Sequence, residues 1–243
     1  MRNRWWNRIR FDAYELFVVA TFVGYVAYEW PRSPSEAVQL RRVYGPSQYS
    51  AGPEETIIRD FFKDKRAGFF VDVGAADYKK DSNTFYLERS LGWSGIAVDA
   101  LSGYASGYAQ HRPGTRFFAR FVSDVSDSEA TVFAQLDTRQ TAEWRRPTYG
   151  PSIEVHVRTI TLTQLLTEQR VSHIDLLSVD VELAEPRVLA GFDIERFRPS
   201  LVCIEAFSPV RQHVLDYFVR HRYVVVGKYL RADERNLYFT PFS

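Results

Sequence analysis

The sequence predicts an α/β domain with a mostly parallel, doubly wound sheet, preceded by an N-terminal membrane helix. Three observations carry this prediction. Short apolar runs alternate with helical patterns from residue 54 onward, as in parallel sheets that have helices on both faces. A short, mostly apolar run at residues 69–74 ends in a glycine turn, which is typical of a buried parallel strand. Residues 16–28 are apolar and uncharged, with tryptophans near both ends.

Length and composition limit the domain organisation and exclude several functions. The 243 residues, 45% of them hydrophobic, predict a membrane-associated helix at 1–30, a linker at 31–53 and one α/β domain at 54–243. The net charge of +1 without a basic block argues against nucleic-acid binding. The only cysteine, Cys203, excludes an internal disulfide and a cysteine-based zinc site, and the histidines lack metal-ligand spacing.

The N-terminal segment has the features of a membrane anchor. Four arginines and two tryptophans occupy residues 1–10, but the apolar run is shorter than the ~20 residues that cross a bilayer. Crossing therefore requires Asp12 and Glu15 to lie among the headgroups. No small-residue cleavage site follows the segment, which argues against a cleaved signal peptide. A buried core helix and an interfacial helix remain alternatives. We expect the anchor to lie in a bacterial inner membrane, and the arginine balance slightly favours a soluble domain outside the cytoplasm.

The remaining pattern gives the order of elements. Pro53 starts a helix with two glutamates in its first turn, and Thr161 caps a second helix at 162–169. Residues 136–151 are predicted to be a polar loop. Further helices are expected at 82–91 and 210–221, and strands at 95–99, 116–122, 130–135, 153–160, 174–181, 201–206, 223–226 and 237–240.

Two of these strand ends suggest a ligand site. Ligands bind such sheets outside the carboxyl ends of the strands. Gly74 lies in the loop 72–78 after the first strand, where a glycine lets the backbone approach a ligand. Asp99 ends the second strand, where an acid can accept hydrogen bonds from ribose hydroxyls. Either signal is weak when taken alone.

A longer set of motifs resembles the FkbM-type methyltransferases. Residues 69–99 contain a strand, a glycine turn, an S-N-T helix start and a G-W-S-G step before the acidic strand end. The sequence V-S-D at 122–124 resembles the third strand end of that family. Residues 157–166 (VRTITLTQLL) and 174–192 (IDLLSVDVELAEPRVLAGF) resemble its two later motifs. The resemblance extends from about residue 55 to residue 242 and implies a Rossmann-like methyltransferase fold.

The resemblance also implies a cofactor, S-adenosylmethionine (SAM), and transfer of its methyl group to an oxygen nucleophile. It places Gly74 beside the methionine part and Asp99 at the ribose of SAM. It also assigns Asp124 to the adenine region and Asp72 to the cofactor loop, while Asp180 and Glu182 would be catalytic groups facing the substrate. Hydrogen-bonded strand ends are an equally good interpretation of these carboxylates on sequence alone.

Some motif positions depart from the family pattern. Tyr78 replaces a glycine of the first loop, so we expect a strained positive φ and a ring that occupies cofactor space. Leu183 replaces the glycine of V-E-G-A-E and adds bulk at the strand end that faces the site. Pro186 follows closely and is tolerated only near a helix start. The second strand reads V-D-A-L where the family has E-P.

Two functional hypotheses follow, and these departures favour the first. In one, a degenerate methyltransferase-like domain is a structural or docking subunit of a membrane protein complex, such as an electron-transport or photosynthetic one. Its partners would be the membrane and other membrane-protein subunits, and Tyr78 would close its first loop. In the other, the protein is an active, membrane-bound SAM-dependent O-methyltransferase acting on a glycan, lipid or small-molecule hydroxyl. That enzyme needs an open cavity beside Gly74 and Asp99.

Overall fold

A computed structural model describes residues 36–135, 141–142 and 152–242. The predicted membrane helix at 1–30 lies outside these residues. Among the described residues, no helix combines the length and apolar character needed to span a membrane.

The main element is a seven-stranded sheet. Its strands are β1 (Phe69–Val73), β2 (Ser94–Asp99), β3 (Thr115–Ala119), β8 (Leu176–Val179), β9 (Leu201–Glu205), β10 (Tyr223–Val225) and β11 (Asn236–Pro241). They follow the order β10-β11-β9-β8-β1-β2-β3. Only β11 runs antiparallel to its neighbours in this sheet, so the prediction of a mostly parallel sheet is confirmed.

A second sheet has four strands, β4 (Phe121–Val122), β5 (Glu129–Gln135), β6 (Thr141–Ala142) and β7 (Ser152–Ile160). They follow the order β4-β7-β5-β6. The single strand predicted at 116–122 is therefore wrong. The chain leaves the large sheet at Arg120, whose N–H donates to the Asp99 carbonyl over 2.9 Å, and then pairs with β7.

Helices flank the large sheet, and their starts follow the sequence signals. The Thr161 hydroxyl accepts a hydrogen bond from the Gln164 N–H over 3.1 Å, which confirms the predicted cap. Pro186 lies in the first turn of its helix, as expected. The helices are α1 (Glu36–Tyr44), α2 (Glu54–Phe62), α3 (Phe85–Leu91), α4 (Ala105–His111), α5 (Leu162–Glu168), α6 (Glu185–Ala190), α7 (Ile194–Phe197) and α8 (Ser208–Arg220).

The sequence pattern predicted no helix at the positions of α1, α4 and α7. The α1 helix lies in the expected linker, and its single buried residue, Leu40, joins the core cluster that contains Ile57 and Ile58. The α4 helix contains Gly107 and buries one residue, Tyr108, so its sequence lacks apolar periodicity. Since α1 and α4 each bury only one residue, packing against neighbouring elements holds them in place.

The core holds the carboxyl ends of the central strands in place. Val73, Val98 and Val179 are all buried and belong to one hydrophobic cluster on β1, β2 and β8. These strands pair in parallel, so their last residues lie along the same edge of the sheet. Gly74, Asp99 and Asp180 follow or end these strands and are brought together there.

Candidate active site

A cavity of about 610 Å³ opens at this edge of the sheet. This volume is within the range of about 300–1,000 Å³ that is usual for small-molecule sites. The first loop, the ends of β2 and β8 and the small sheet supply its walls. The residues that line it are Ala51, Val73, Gly74, Ala75, Ala76, Asp77, Lys80, Asp81, Val98, Asp99, Ala100, Tyr104, Arg120, Phe121, Val122, Val132, Asp180, Val181, Glu182 and Arg235.

Position 74 requires a glycine for two reasons: its backbone conformation and the close approach of the Asp180 carbonyl. Its φ of 82° lies in the left-handed region, which side chains other than glycine rarely adopt. A Cβ at this position would lie 1.7 Å from the Asp180 carbonyl oxygen. The Gly74 N–H donates to the Val98 carbonyl over 2.9 Å, so the loop is held between β2 and β8.

Asp99 lines the cavity and also holds the first loop. Its Oδ2 accepts a hydrogen bond from the Ala76 N–H over 3.0 Å, and its Oδ1 accepts one from the Leu101 N–H over 2.8 Å. Burial raises the pKa of Asp99, while these two backbone donors lower it. Each carboxylate oxygen has a second lone pair, so the carboxylate can still accept bonds from ribose hydroxyls.

Asp180 and Glu182 line the opposite side of the cavity. Burial and the nearby carboxylates of Glu205 and Glu182 raise the pKa of Asp180 well above its usual value. Burial and Glu205 raise the pKa of Glu182 as well, and Arg235 opposes both shifts. A carboxyl whose pKa is raised is a stronger base once it is ionised, which suits proton removal from a bound hydroxyl.

The other two predicted site residues lie away from the cavity lining. Asp72 is buried behind the loop, where its Oδ2 accepts a hydrogen bond from the Thr84 hydroxyl over 2.8 Å. Its burial raises its pKa to about 6. Asp124 is exposed and accepts hydrogen bonds from the Ser123 hydroxyl and from Arg187 Nε. Gly74, Asp99, Asp180 and Glu182 are thus brought together, whereas Asp72 and Asp124 are separate from them.

The sequence profile of the methyltransferase FkbM domain matches residues 72–225, which is more than half of the chain. The chain belongs to the FkbM methyltransferase family. No functionally curated protein sequence matches it.

Solved methyltransferase structures show remote similarity to this FkbM-family chain. A TehB-like SAM-dependent methyltransferase from Corynebacterium glutamicum is 14% identical, with 92% of this chain and 100% of that chain covered and a TM-score of 0.45. A SAM-dependent O-methyltransferase from Thermotoga maritima is 12% identical, with 86% and 72% covered and a TM-score of 0.45. The 1,6-didemethyltoxoflavin-N1-methyltransferase of Burkholderia thailandensis, solved with S-adenosylhomocysteine, is 13% identical, with 96% and 91% covered and a TM-score of 0.39.

Tyr78, which replaces a glycine of the FkbM family, does not fill the cavity. Both expectations for this residue are wrong: the positive φ values near it belong to Gly74, Ala76 and Asp81, and the Tyr78 ring is absent from the cavity lining. The ring stacks on His111 with centroids 4.6 Å apart. It lies 2.6 Å from the position that a Cβ on Gly107 would take, so the bare glycine of α4 makes room for it.

Leu183, the second departure from the FkbM pattern, also lies outside the lining of the cavity beside Gly74 and Asp99. Its φ of 77° lies in the left-handed region, which favours glycine. Its side chain, however, lines a different cavity together with Ala130, Pro186 and Val210. The expected bulk is therefore absent from the cavity beside Gly74 and Asp99, because the turn after β8 directs this side chain towards the small sheet and α8.

Two cavity residues and one partner behind them were not identified from the sequence. Arg235 precedes β11, and Arg120 lies between the two sheets; neither belongs to a motif with local spacing. Glu205, which accepts a hydrogen bond from Arg235, is an acid at the end of an apolar strand and so carries the same signal as Asp99. That signal could have identified Glu205 beforehand.

Proposed function

We propose that this FkbM-family chain is a SAM-dependent methyltransferase that methylates a hydroxyl of a glycan, a lipid or a small molecule. The observation that carries this proposal is the open cavity beside Gly74 and Asp99. Family membership supports SAM as the cofactor.

The cavity residues fit such a cofactor. Gly74 contributes backbone to the cavity wall, where the methionine part would lie against the loop, and Asp99 would present its carboxylate to the ribose. The space of the missing Gly74 Cβ is taken by the Asp180 carbonyl, so the glycine allows the loop and the strand end to meet beside the cofactor. When bound, SAM supplies an electrophilic methyl group on a positively charged sulfur. The protein then needs to position the acceptor oxygen in line with that group and to receive a proton.

Asp180 and Glu182 are the groups that we assign to proton removal. Asp180 or Glu182 would accept the hydroxyl proton as the acceptor oxygen takes the methyl group. The carboxylate charge that is neutralised would match the positive charge that the methyl donor loses, so charge and atoms would balance. Both side chains belong to the cavity wall, next to the loop that carries Gly74.

The hypothesis of a degenerate docking subunit loses its steric support, because neither Tyr78 nor Leu183 lines the cavity. We retain membrane association through residues 1–30 as part of the proposal. An active enzyme needs its domain in the cytoplasm, where SAM is supplied, so we propose the orientation opposite to the one that the arginine balance slightly favours. This arrangement can be tested with a C-terminal fusion to a reporter that functions only outside the cytoplasm. Activity of that reporter would contradict the proposed orientation.

Blocking the cavity tests the proposed function directly. Ala100 lines the cavity, so Ala100→Trp would place an indole where SAM is expected. We expect calorimetry to show SAM binding to the wild type and an affinity about 100-fold lower for the variant, which corresponds to ~2.7 kcal/mol. Ala105→Trp is the control, because Ala105 is exposed on α4 and outside the lining. Absence of SAM binding in the wild type, or equal binding by both variants, would refute the assignment.

Restoring the family glycine tests the position of Tyr78. Since the ring lies outside the cavity, Tyr78→Gly should change the dissociation constant for SAM by less than about twofold, or ~0.4 kcal/mol. The Tyr78 carbonyl, which accepts from Arg112 Nη1 over 2.9 Å, is retained in the variant. A gain of about tenfold or more in SAM affinity, which is ~1.4 kcal/mol, would show that the ring obstructs the site after all.

A further inference from the structure

The outer face of α1 combines arginines with exposed apolar side chains. Val38, Arg41 and Arg42 are exposed, and spacings of three and four residues place them on one side of this nine-residue helix. We call these three residues the basic face. Val38 is 41% exposed, and Val43, near the end of the same helix, is 72% exposed. A valine beside two arginines suits a helix on a membrane surface, where apolar groups enter the headgroup region and cations meet lipid phosphates.

The charge of the basic face is not neutralised within the fold. In the part of the chain that the structure describes, neither Arg41 nor Arg42 forms an ion pair. The only acidic residue of α1, Glu36, lies four residues before Leu40 and so shares the side of the helix that is turned into the domain. The two guanidinium groups are therefore available to an external anion.

Two carboxylates lie near the last residue of α1, but other cations neutralise them. Asp60 pairs with Lys63 over 2.9 Å and also with Lys228, and Asp64 pairs with Arg59 over 2.9 Å. These surroundings therefore do not offset the two arginines of the basic face. A surface patch with uncompensated positive charge attracts an anionic partner.

The α1 helix is fixed to the body of the domain. Leu40 is buried in the core cluster that contains Ile57 of α2. Arg59 Nη1 donates to the Tyr44 carbonyl over 3.0 Å, and the guanidinium carbon of Arg59 lies 5.3 Å from the centroid of the Tyr44 ring. Because the helix is held at both of these points, a partner that binds the basic face orients the whole domain.

The chain itself indicates which partner lies next to the basic face. The predicted membrane helix ends at residue 30, and α1 begins at Glu36. The five residues between them span at most about 20 Å, even when fully extended. With residues 1–30 in the bilayer, α1 therefore begins within that distance of the lipid headgroups. The cytoplasmic leaflet carries anionic lipids, so its charge is opposite to that of Arg41 and Arg42.

We propose that the basic face of α1 docks on the anionic surface of the bilayer and orients the domain there. This inference rests on the proposed membrane association and goes beyond it, because it assigns a second lipid contact outside residues 1–30. Arg41 and Arg42 would bind lipid phosphates, and Val38 would enter the apolar boundary of the headgroup region. Ala51, in the loop that follows α1, lines the candidate cavity, so this contact would hold the cavity at a fixed distance from the membrane.

The structure provides a matched control on the other face of the large sheet. Val219 of α8 is 38% exposed, and Arg220 and Arg222 are exposed beside it. The α8 helix packs in the core cluster that contains Val71, whereas α1 packs in the cluster that contains Phe70. Successive side chains of a strand point to opposite faces, so α1 and α8 lie on opposite faces of the sheet. The sheet therefore separates this control site from a bilayer that lies against α1.

Fluorescence quenching by lipids tests the proposal on the full-length protein. A nitrobenzoxadiazole probe is attached through Val38→Cys or Val219→Cys, and the native Cys203 stays unlabelled because it is buried. The vesicles consist of phosphatidylcholine alone or with ~30% phosphatidylglycerol, and all contain a lipid with a nitroxide on its headgroup. In anionic vesicles we expect quenching at position 38 to be about threefold or more stronger than at position 219. Neutral vesicles should lower the quenching at position 38 by at least about twofold, because they do not attract the arginines.

Two charge-matched pairs of substitutions locate the contact. With the probe at position 38, Arg41→Gln combined with Arg42→Gln should lower the ratio of docked to undocked protein about 30-fold, which is ~2 kcal/mol at about 1 kcal/mol per arginine. Arg220→Gln combined with Arg222→Gln removes the same charge from the control site and should leave this ratio unchanged. An equal loss with both pairs, or quenching that neither pair nor neutral lipid reduces, would overturn the proposal.

Flotation of the same vesicles separates this inference from the proposed membrane association. If the full-length protein does not float with either kind of vesicle, both the anchor and the docking face are refuted. If the protein floats but position 38 is quenched no more than position 219, the docking proposal alone fails. That result would assign the basic face to a protein partner or to a second copy of the chain.

Discussion

Replacing Gly74 by alanine is expected to abolish SAM binding and to destabilise the fold. The new Cβ would lie 1.7 Å from the Asp180 carbonyl oxygen, and the φ of 82° would be strained for any side chain. Left-handed strain and overpacking each cost about 1–3 kcal/mol. We therefore expect a loss of about 3 kcal/mol in the free energy of unfolding and a Tm about 6–12 °C lower.

The structure offers a matched control for this experiment. Gly103→Ala adds the same methyl group a short distance from the cavity, but the added Cβ has no heavy atom within 4 Å and the backbone has no positive φ. Thermal unfolding and SAM calorimetry of Gly103→Ala should match those of the wild type. A folded Gly74→Ala variant with wild-type SAM affinity would show that this close approach of loop and strand is irrelevant to the cofactor site.

Replacing Glu185 by glutamine is expected to stabilise the protein at alkaline pH. Burial, as the largest cause, raises the pKa of Glu185 to about 7 from its ordinary 4.5. The ionised form is therefore penalised in the folded state, and wild-type stability falls as the pH rises between these two values. The glutamine oxygen can keep the bonds from the Val181 and Leu183 N–H groups. We expect a gain of about 2–3 kcal/mol at pH 8.5 and none at pH 4.5.

Thermal unfolding at several pH values measures this effect, with Tm expected to rise by about 4–12 °C at pH 8.5. Glu234→Gln is the control, because Glu234 is exposed and the same loss of charge there should leave Tm nearly unchanged at every pH. A Glu185→Gln variant that is less stable than the wild type by a similar amount at all pH values would contradict the expectation. It would mean that the ionised carboxylate is stabilised in the fold by its two backbone donors.

Sequence patterns alone determined the sheet and the two landmarks of its ligand edge. The apolar runs before Gly74 and Asp99 appear as β1 and β2 at the predicted places, because a strand buried on both faces is mostly apolar. The glycine and the acid at their ends were identifiable for the same reason, since few residue types suit those positions. Membership of the FkbM family follows from motifs spread over most of this sheet.

The tertiary structure alone decided whether the site is open. Sequence interpretation assigned the Tyr78 ring and the Leu183 side chain to the cavity, but the direction of a side chain depends on neighbours that are distant in the chain. Gly107 leaves room for the tyrosine on α4, and the turn after β8 aims the leucine at the small sheet. Residue type and spacing therefore predict the glycine turn at Gly74 and the acidic strand end at Asp99. Long-range packing determines whether the cavity beside them is open, because it sets the direction of side chains such as Tyr78 and Leu183.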